Sequence, residues 1–197
     1  MRRIDLKSSD LHEAVTLLKG FLDRKGGVAL VPTETVYGLI ARSDDAEAAE
    51  RIIRLKHRLQ GKRFGWFTGN WRKLVEFGVI LDGWPEKLAA EFCPGALTVI
   101  APCRNGETQG FRVPDSLLLT ELLEKFDVPL LQTSANASGM PDARSCDEAL
   151  AQLDGAVDCA VDGGVIAGNV MASTVVDATG KKLKILRQGA VDLQKYL

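Results

Sequence analysis

Histidine is nearly missing from this 197-residue chain: His12 and His57 are the only two, far apart and at no metal-ligand spacing. A Ser-His-Asp or Cys-His engine would have to recruit one of them, so the inventory alone disfavours triad chemistry. Cysteine is sparse too. Cys93, Cys103, Cys146 and Cys159 form no C-x-x-C pair, which argues against a structural zinc site and a secreted disulfide framework. They read as reduced thiols of a cytoplasmic protein. No apolar run approaches the roughly 20 residues of a membrane span. The start, Met1 to Lys7, carries charges but lacks the apolar core of a signal peptide. Repeats, low-complexity tracts and long linkers are absent as well, so residues 1–197 read as a single domain with no membrane association.

What is present describes an ordinary globular protein: 46% apolar residues, and 25 Lys+Arg against 26 Asp+Glu. Ser9-Asp10 ahead of Leu11, Val15, Leu18 and Leu22 predicts a capped amphipathic helix stopped at Gly26-Gly27. Asp44-Asp45-Ala46-Glu47 opens a second helix whose basic last stretch, Arg51 to Arg58, suits the macrodipole. Helical segments are predicted near Trp71–Phe77, Glu86–Phe92, Thr120–Phe126 and Cys146–Leu153. Strands are predicted at Val28–Val31, Phe64–Thr68, Leu97–Ala101, Val128–Gln132, Thr174–Val176 and Leu183–Leu186. Helices and strands mix without strict βαβ alternation, which favours a mixed α/β (α+β) fold on one twisted mixed β-sheet with flanking helices.

Three polar segments adjoin predicted strands, where a rigid sheet can position side chains. They are Pro32-Thr33-Glu34-Thr35-Val36-Tyr37-Gly38, Thr133-Ser134-Ala135-Asn136-Ala137-Ser138-Gly139, and Ala172-Ser173-Thr174-Val175-Val176-Asp177. Each alone has the plainer reading of a capped turn. The charge pattern is sharper. Residues 51–75 hold Arg51, Arg54, Lys56, Arg58, Lys62, Arg63, Arg72 and Lys73 with no acid, so the remainder of the chain sums to about −9. A solvated helix face accounts for Arg51 and Arg54. Lys56 and Arg58 would diverge on a continuing helix but converge on one anion where the helix unwinds. Arg112, flanked by apolar residues, needs an anionic partner, either a protein carboxylate or a substrate carboxylate. Arg187 reads as an edge-strand charge or a phosphate ligand.

Taken together, PTETVYGL (32–39), K-x-R (56–58), PGALTVI (94–100), T-x-x-x-R-V-P (108–114), TSANASGMP (133–141), STVVD (173–177) and ILRQG (185–189) resemble the Sua5/YrdC/YciO family of threonylcarbamoyl-AMP synthases. The likeness runs over about residues 10–190, with the seven motifs in the family's order. It implies a YrdC-like fold enclosing a positively lined cavity. The implied activity is that of an ATP-dependent nucleotidyltransferase, which condenses L-threonine, bicarbonate and ATP into threonylcarbamoyl-AMP and pyrophosphate. That product feeds t6A modification of tRNA through a separate threonylcarbamoyl transferase complex.

Carried over by motif, Lys56 and Arg58 are the implied catalytic residues and contact the nucleotide phosphates. Lys62, Thr108, Ser134, Asn136 and Arg187 complete the implied nucleotide side. Thr35, Arg112, Gln132 (through its backbone) and Ser173 form the implied amino-acid side. ATP with Mg²⁺ is implied, with no protein metal ligands assigned. Two departures stand out: Leu59 follows the K-x-R pair where relatives have proline, and Phe67 sits where some relatives place a histidine. A chain ending at Leu197 matches the short form of the family. Two other readings stay open: binding of tRNA or duplex RNA through the basic segment with Trp66 and Trp71, and a paralogue acting on another amino acid.

Overall fold

The computed structural model describes residues 1–58, 61 and 63–197, and its strands form one mixed sheet of ten. In chain order the elements are β1 (Arg2–Asp5), α1 (Leu11–Leu22), β2 (Ala29–Val31), β3 (Gly38–Arg42), α2 (Ala46–Lys56) and β4 (Gly65–Phe67). A 3-10 segment (Trp71–Phe77), α3 (Trp84–Phe92), β5 (Leu97–Pro102), β6 (Thr108–Arg112), α4 (Leu117–Leu123) and β7 (Leu130–Ser134) follow. The chain continues through α5 (Cys146–Gln152), β8 (Cys159–Asp162), β9 (Thr174–Asp177), β10 (Lys184–Arg187) and a last 3-10 turn (Gln194–Tyr196). The sheet order is β1-β8-β2-β3-β7-β4-β6-β5-β9-β10. The mixed α/β class expected from the sequence is therefore the one observed.

Local signals fix most helix ends. Asp10 and Asp45 sit in extended conformation as N-caps, their carboxylates accepting the N–H of Glu13 and Ala48. The helix expected at Thr120–Phe126 starts earlier, at Leu117. Ser116 is extended and the buried face is Leu118, Leu119, Leu122 and Leu123, so packing sets the phase. The strand expected to end at Gln132 runs on to Ser134, because Thr133 and Ser134 pair with Leu39 and Gly38 of β3. Four strands had no clear sequence signature. β3 and β8 are almost wholly buried and so do not alternate, β1 is a charged edge, and β6 contains Gly110.

The two faces of the sheet differ, and that difference makes the site. On one face Leu30, Leu39 and Leu131 pack beneath α2 and α5, and Leu97, Val99 and Phe111 pack beneath α3 and the first 3-10 segment. On the other face α1 and α4 cover Ile4, Cys159, Val161, Ala29, Val31, Ile40, Phe67 and Leu130. Beyond them the same face carries Gly38, Ser134, Gln132, Gly65, Gly110 and Arg112, in register across β3, β7, β4 and β6. Apolar cover ends where glycine and polar side chains begin.

Candidate functional site

That uncovered face is the floor of a cavity of about 330 Å³. Gly38, Gly65 and Gly110 lie in three of its strands, and a glycine inside a strand marks close approach of another group. The loop between β2 and β3 (Thr33, Thr35, Val36), Arg58 with Arg63-Phe64, and Ser173 with Arg187 form the walls. Four arginines (Arg58, Arg63, Arg112, Arg187) line it, and no described lining residue is acidic. Among the described cations of the basic run, Arg58 and Arg63 alone line the cavity. Arg51 is instead tied to Asp158 at 2.5 Å and to the carbonyls of Gly26 and Ala156, so the solvated-face reading of that residue is corrected: it fastens α2 to the β8 side of the sheet.

At one end sits Arg112, 4% exposed at the end of β6. Its Nη1 and Nη2 both donate to Thr35 Oγ1, at 3.1 and 3.2 Å, and its Nε donates to the Gly95 carbonyl. The hydroxyl protons can be followed. Thr33 Oγ1 accepts the N–H groups of Thr35 and Val36 and donates to the Val36 carbonyl. Thr35, already accepting from arginine, therefore donates to Thr33 at 2.9 Å. Glu34 Oε1 pairs with Arg112 Nη2 at 2.5 Å from outside the cavity lining, so the protein-carboxylate partner is present and the guanidinium still lines the cavity.

At the other end α2 stops at Lys56, because His57 takes the left-handed conformation (φ 49°, ψ 41°). That break brings Lys56 and Arg58 together: Lys56 Nζ and Arg58 Nη1 donate to the same Thr133 Oγ1, at 3.1 and 3.3 Å. Lys56 is 3% exposed, also donates to the Ser134 carbonyl, and lies behind the lining rather than in it. Burial first, and then the neighbouring Arg58 charge, push its pKa down to about 8. Arg58 is held by the Arg63 carbonyl and stacks on Phe64 at 5.0 Å, while its buried Nε has no partner. Burial lowers its pKa as well.

The remaining candidates divide. Ser173 Oγ lies 3.0 Å from Thr98 Oγ1 and accepts from Arg187 Nη2 at 3.0 Å, so these three side chains form one wall. Thr108, Ser134 and Gln132 also line the cavity. Asn136 does not. It accepts from Ser134 Oγ and donates to the carbonyls of Met140 and Ala137, bracing the turn after β7. Lys62 and Leu59 lie outside the described residues. Thr33, Arg63, Thr98 and Thr133 join the site from segments marked in the sequence in which they had been given no role of their own, and the strand glycines were the signal available for its floor.

The family profile Sua5/YciO/YrdC, described as "Telomere recombination", matches residues 22–189. The chain belongs to this family. Threonylcarbamoyl-AMP synthase of Bacillus subtilis (strain 168) is 32% identical over 181 residues, covering 85% of this chain and 51% of that protein. Among solved structures, Pyrococcus abyssi Sua5 complexed with L-threonine superposes with a TM-score of 0.85 at 27% identity, covering 98% of this chain and 58% of that one. Escherichia coli YciO superposes with a TM-score of 0.83 at 25% identity, covering 100% and 98%. The chain thus spans just over half of these two synthase and Sua5 relatives, and nearly all of YciO. Every lining residue of the cavity falls within the family match.

Proposed function

We propose that this Sua5/YciO/YrdC protein is an enzyme that makes threonylcarbamoyl-AMP from L-threonine, bicarbonate and ATP, releasing pyrophosphate. The observation that carries the reading is the cavity itself: four arginines and no described acid, with Arg112 and Thr35 at one end and Arg58, backed by Lys56 and Thr133, at the other. Names among the relatives support it, as does a Sua5 structure holding L-threonine. The product would pass to a tRNA threonylcarbamoyl transferase complex for t6A modification. A single arginine-lined cavity on the sheet suits one small polyanion with its amino-acid partner better than an RNA strand.

In this reading the threonine carboxylate takes the one Arg112 N–H that Gly95, Thr35 and Glu34 leave free, while Glu34 holds the guanidinium in plane. The neutral amine attacks the bicarbonate carbon; the C–N bond forms as hydroxide leaves and takes an amine proton, so water is released and the carbamate presents an oxygen. That oxygen attacks the α-phosphorus of ATP, and pyrophosphate leaves with the bonding pair. Arg58 and Lys56 neutralise charge that builds on the phosphoryl oxygens and on the departing pyrophosphate. No histidine is needed, because the nucleophile is already an anion. Alignment of carbamate and α-phosphate in one cavity supplies most of the remaining acceleration.

No set of three or more His, Cys, Asp or Glu among the described residues could hold a metal, and no described carboxylate lines the cavity. The donor set therefore does not fit a resident Mg²⁺, and magnesium enters as the counter-ion of ATP, part of the substrate. No described helix is long and apolar enough to cross a membrane. The test is pyrophosphate release with ATP, bicarbonate and each amino acid in turn. Release that persists when threonine or bicarbonate is omitted overturns the reading.

A further inference from the structure

The cavity is rich in donors and poor in acceptors. Arginine donates only, so four guanidiniums can hold the anionic parts of a ligand but cannot receive an N–H. The hydroxyls are largely engaged: Thr35 accepts twice from Arg112, Thr133 accepts from Lys56 and Arg58, and Ser173 accepts from Arg187. Gln132 supplies the one side-chain carbonyl oxygen among the described lining residues. Its neighbours along β7, Thr133 and Ser134, are tied to other side chains, whereas its carboxamide has no hydrogen-bond partner among the described residues.

The carboxamide is also placed by a specific vacancy in the neighbouring strand. Gln132 faces Gly65 across the β7–β4 pair. A Cβ built on Gly65 would lie 2.4 Å from Gln132 Nε2 and 3.3 Å from its Cδ. The amide therefore occupies the space that any other residue at 65 would fill. The atom in the way is the far end of a flexible side chain, so a larger residue would push the amide aside without disturbing the backbone.

We propose that the side chain of Gln132 is a specificity-determining group that accepts the N–H of an amino-acid substrate, and that Gly65 is the positioning residue that lets it do so. This rests on the amino-acid-activating reading above and deepens it. The guanidinium of Arg112 reads the carboxylate, and Gln132 reads the nitrogen.

The test is calorimetric binding of L-threonine and, separately, of ATP to the full chain and to Gln132→Met, Gln132→Ala, Gly65→Ala and Gly65→Ala/Gln132→Ala. Loss of one hydrogen bond predicts about a tenfold weaker threonine affinity for Gln132→Met, with ATP affinity changed less than twofold. Gly65→Ala should weaken threonine similarly while leaving the thermal midpoint nearly unchanged, and in the Gln132→Ala background it should cost nothing further. Unaltered threonine affinity in Gln132→Met overturns the proposal, as do additive losses in the double variant or a wild-type chain that binds no amino acid. A wild-type chain that binds threonine but releases no pyrophosphate overturns the reaction alone, and Gln132 is then still decided by the binding series.

Discussion

Buried Arg112 and partly exposed Glu34 form an ion pair in which one carboxylate oxygen serves two elements. Glu34 Oε1 is 2.5 Å from Arg112 Nη2 and also accepts the backbone N–H of Asp115 at 3.0 Å, while Glu34 Oε2 is buried with no partner. The β2–β3 loop is thereby clamped to the segment after β6, and a guanidinium almost shut off from water is neutralised. Removing the carboxylate leaves a buried charge alone, which costs more than the pair itself contributes. Glu34→Ala should lower stability by about 2–3 kcal/mol in urea denaturation, because the carboxylate is partly exposed and the site can rehydrate. An unchanged midpoint would show that the pair is not structural.

Lys56 gives a pH signature whose sign follows from burial. Its folded pKa is pushed down to about 8 from an ordinary 10.5. Below pH 8 both folded and unfolded chains hold the proton, and the burial penalty is complete. Between about 8 and 10.5 the folded chain sheds it while the unfolded chain keeps it, so this residue's contribution to stability rises with pH. Urea midpoints of the wild type should gain on those of Lys56→Met across that window. A phosphate anion restores the charged form, so ATP affinity measured by calorimetry should fall as pH climbs through 8, with proton uptake on binding.

Arg58 bears directly on turnover. Its guanidinium lines the cavity, stacks on Phe64 and keeps one buried N–H unpaired. Arg58→Ala removes a charge placed for the phosphates and should reduce pyrophosphate release by about 10²–10³-fold, on the scale of other preorganised donors. Arg58→Lys should recover little, since a lysine cannot reproduce the planar fork. A rate within threefold of wild type would move the phosphate site elsewhere.

Gly110 separates cavity volume from stability. An added Cβ would meet Ile100 Cγ1 at 3.6 Å and Thr98 Cγ2 at 3.7 Å, ordinary contacts. Gly110→Ala should fold with a thermal midpoint close to that of the wild type. Gly110→Val projects further into the cavity and should abolish ATP and threonine binding while circular dichroism stays native. Full binding by the valine variant would mean that the cavity is not where ligands sit.

Much of the architecture was legible locally because its causes are local. Asp10 and Asp45 cap their helices with their own carboxylates, whereas the second helix, expected to carry its basic stretch on to Arg58, ends at Lys56 because His57 turns left-handed. β3 and β8 were hidden because strands buried on both faces do not alternate. α4 was shifted by three residues because packing of its leucines, rather than a cap hydrogen bond, fixes its start.

The sequence by itself determined the chemistry available: nearly no histidine, a concentrated cationic segment, hydroxyl-rich strand ends and the order of seven motifs. Only the tertiary structure decided which cations matter. Arg112 and Arg187, far from the basic run, join Arg58 and Arg63 in the cavity, while Arg51 turns away to Asp158. The physical reason is that strand register, set by non-local pairing, chooses which face each residue shares. That same pairing puts Gly65 opposite Gln132, and no spacing along the chain could have brought them together.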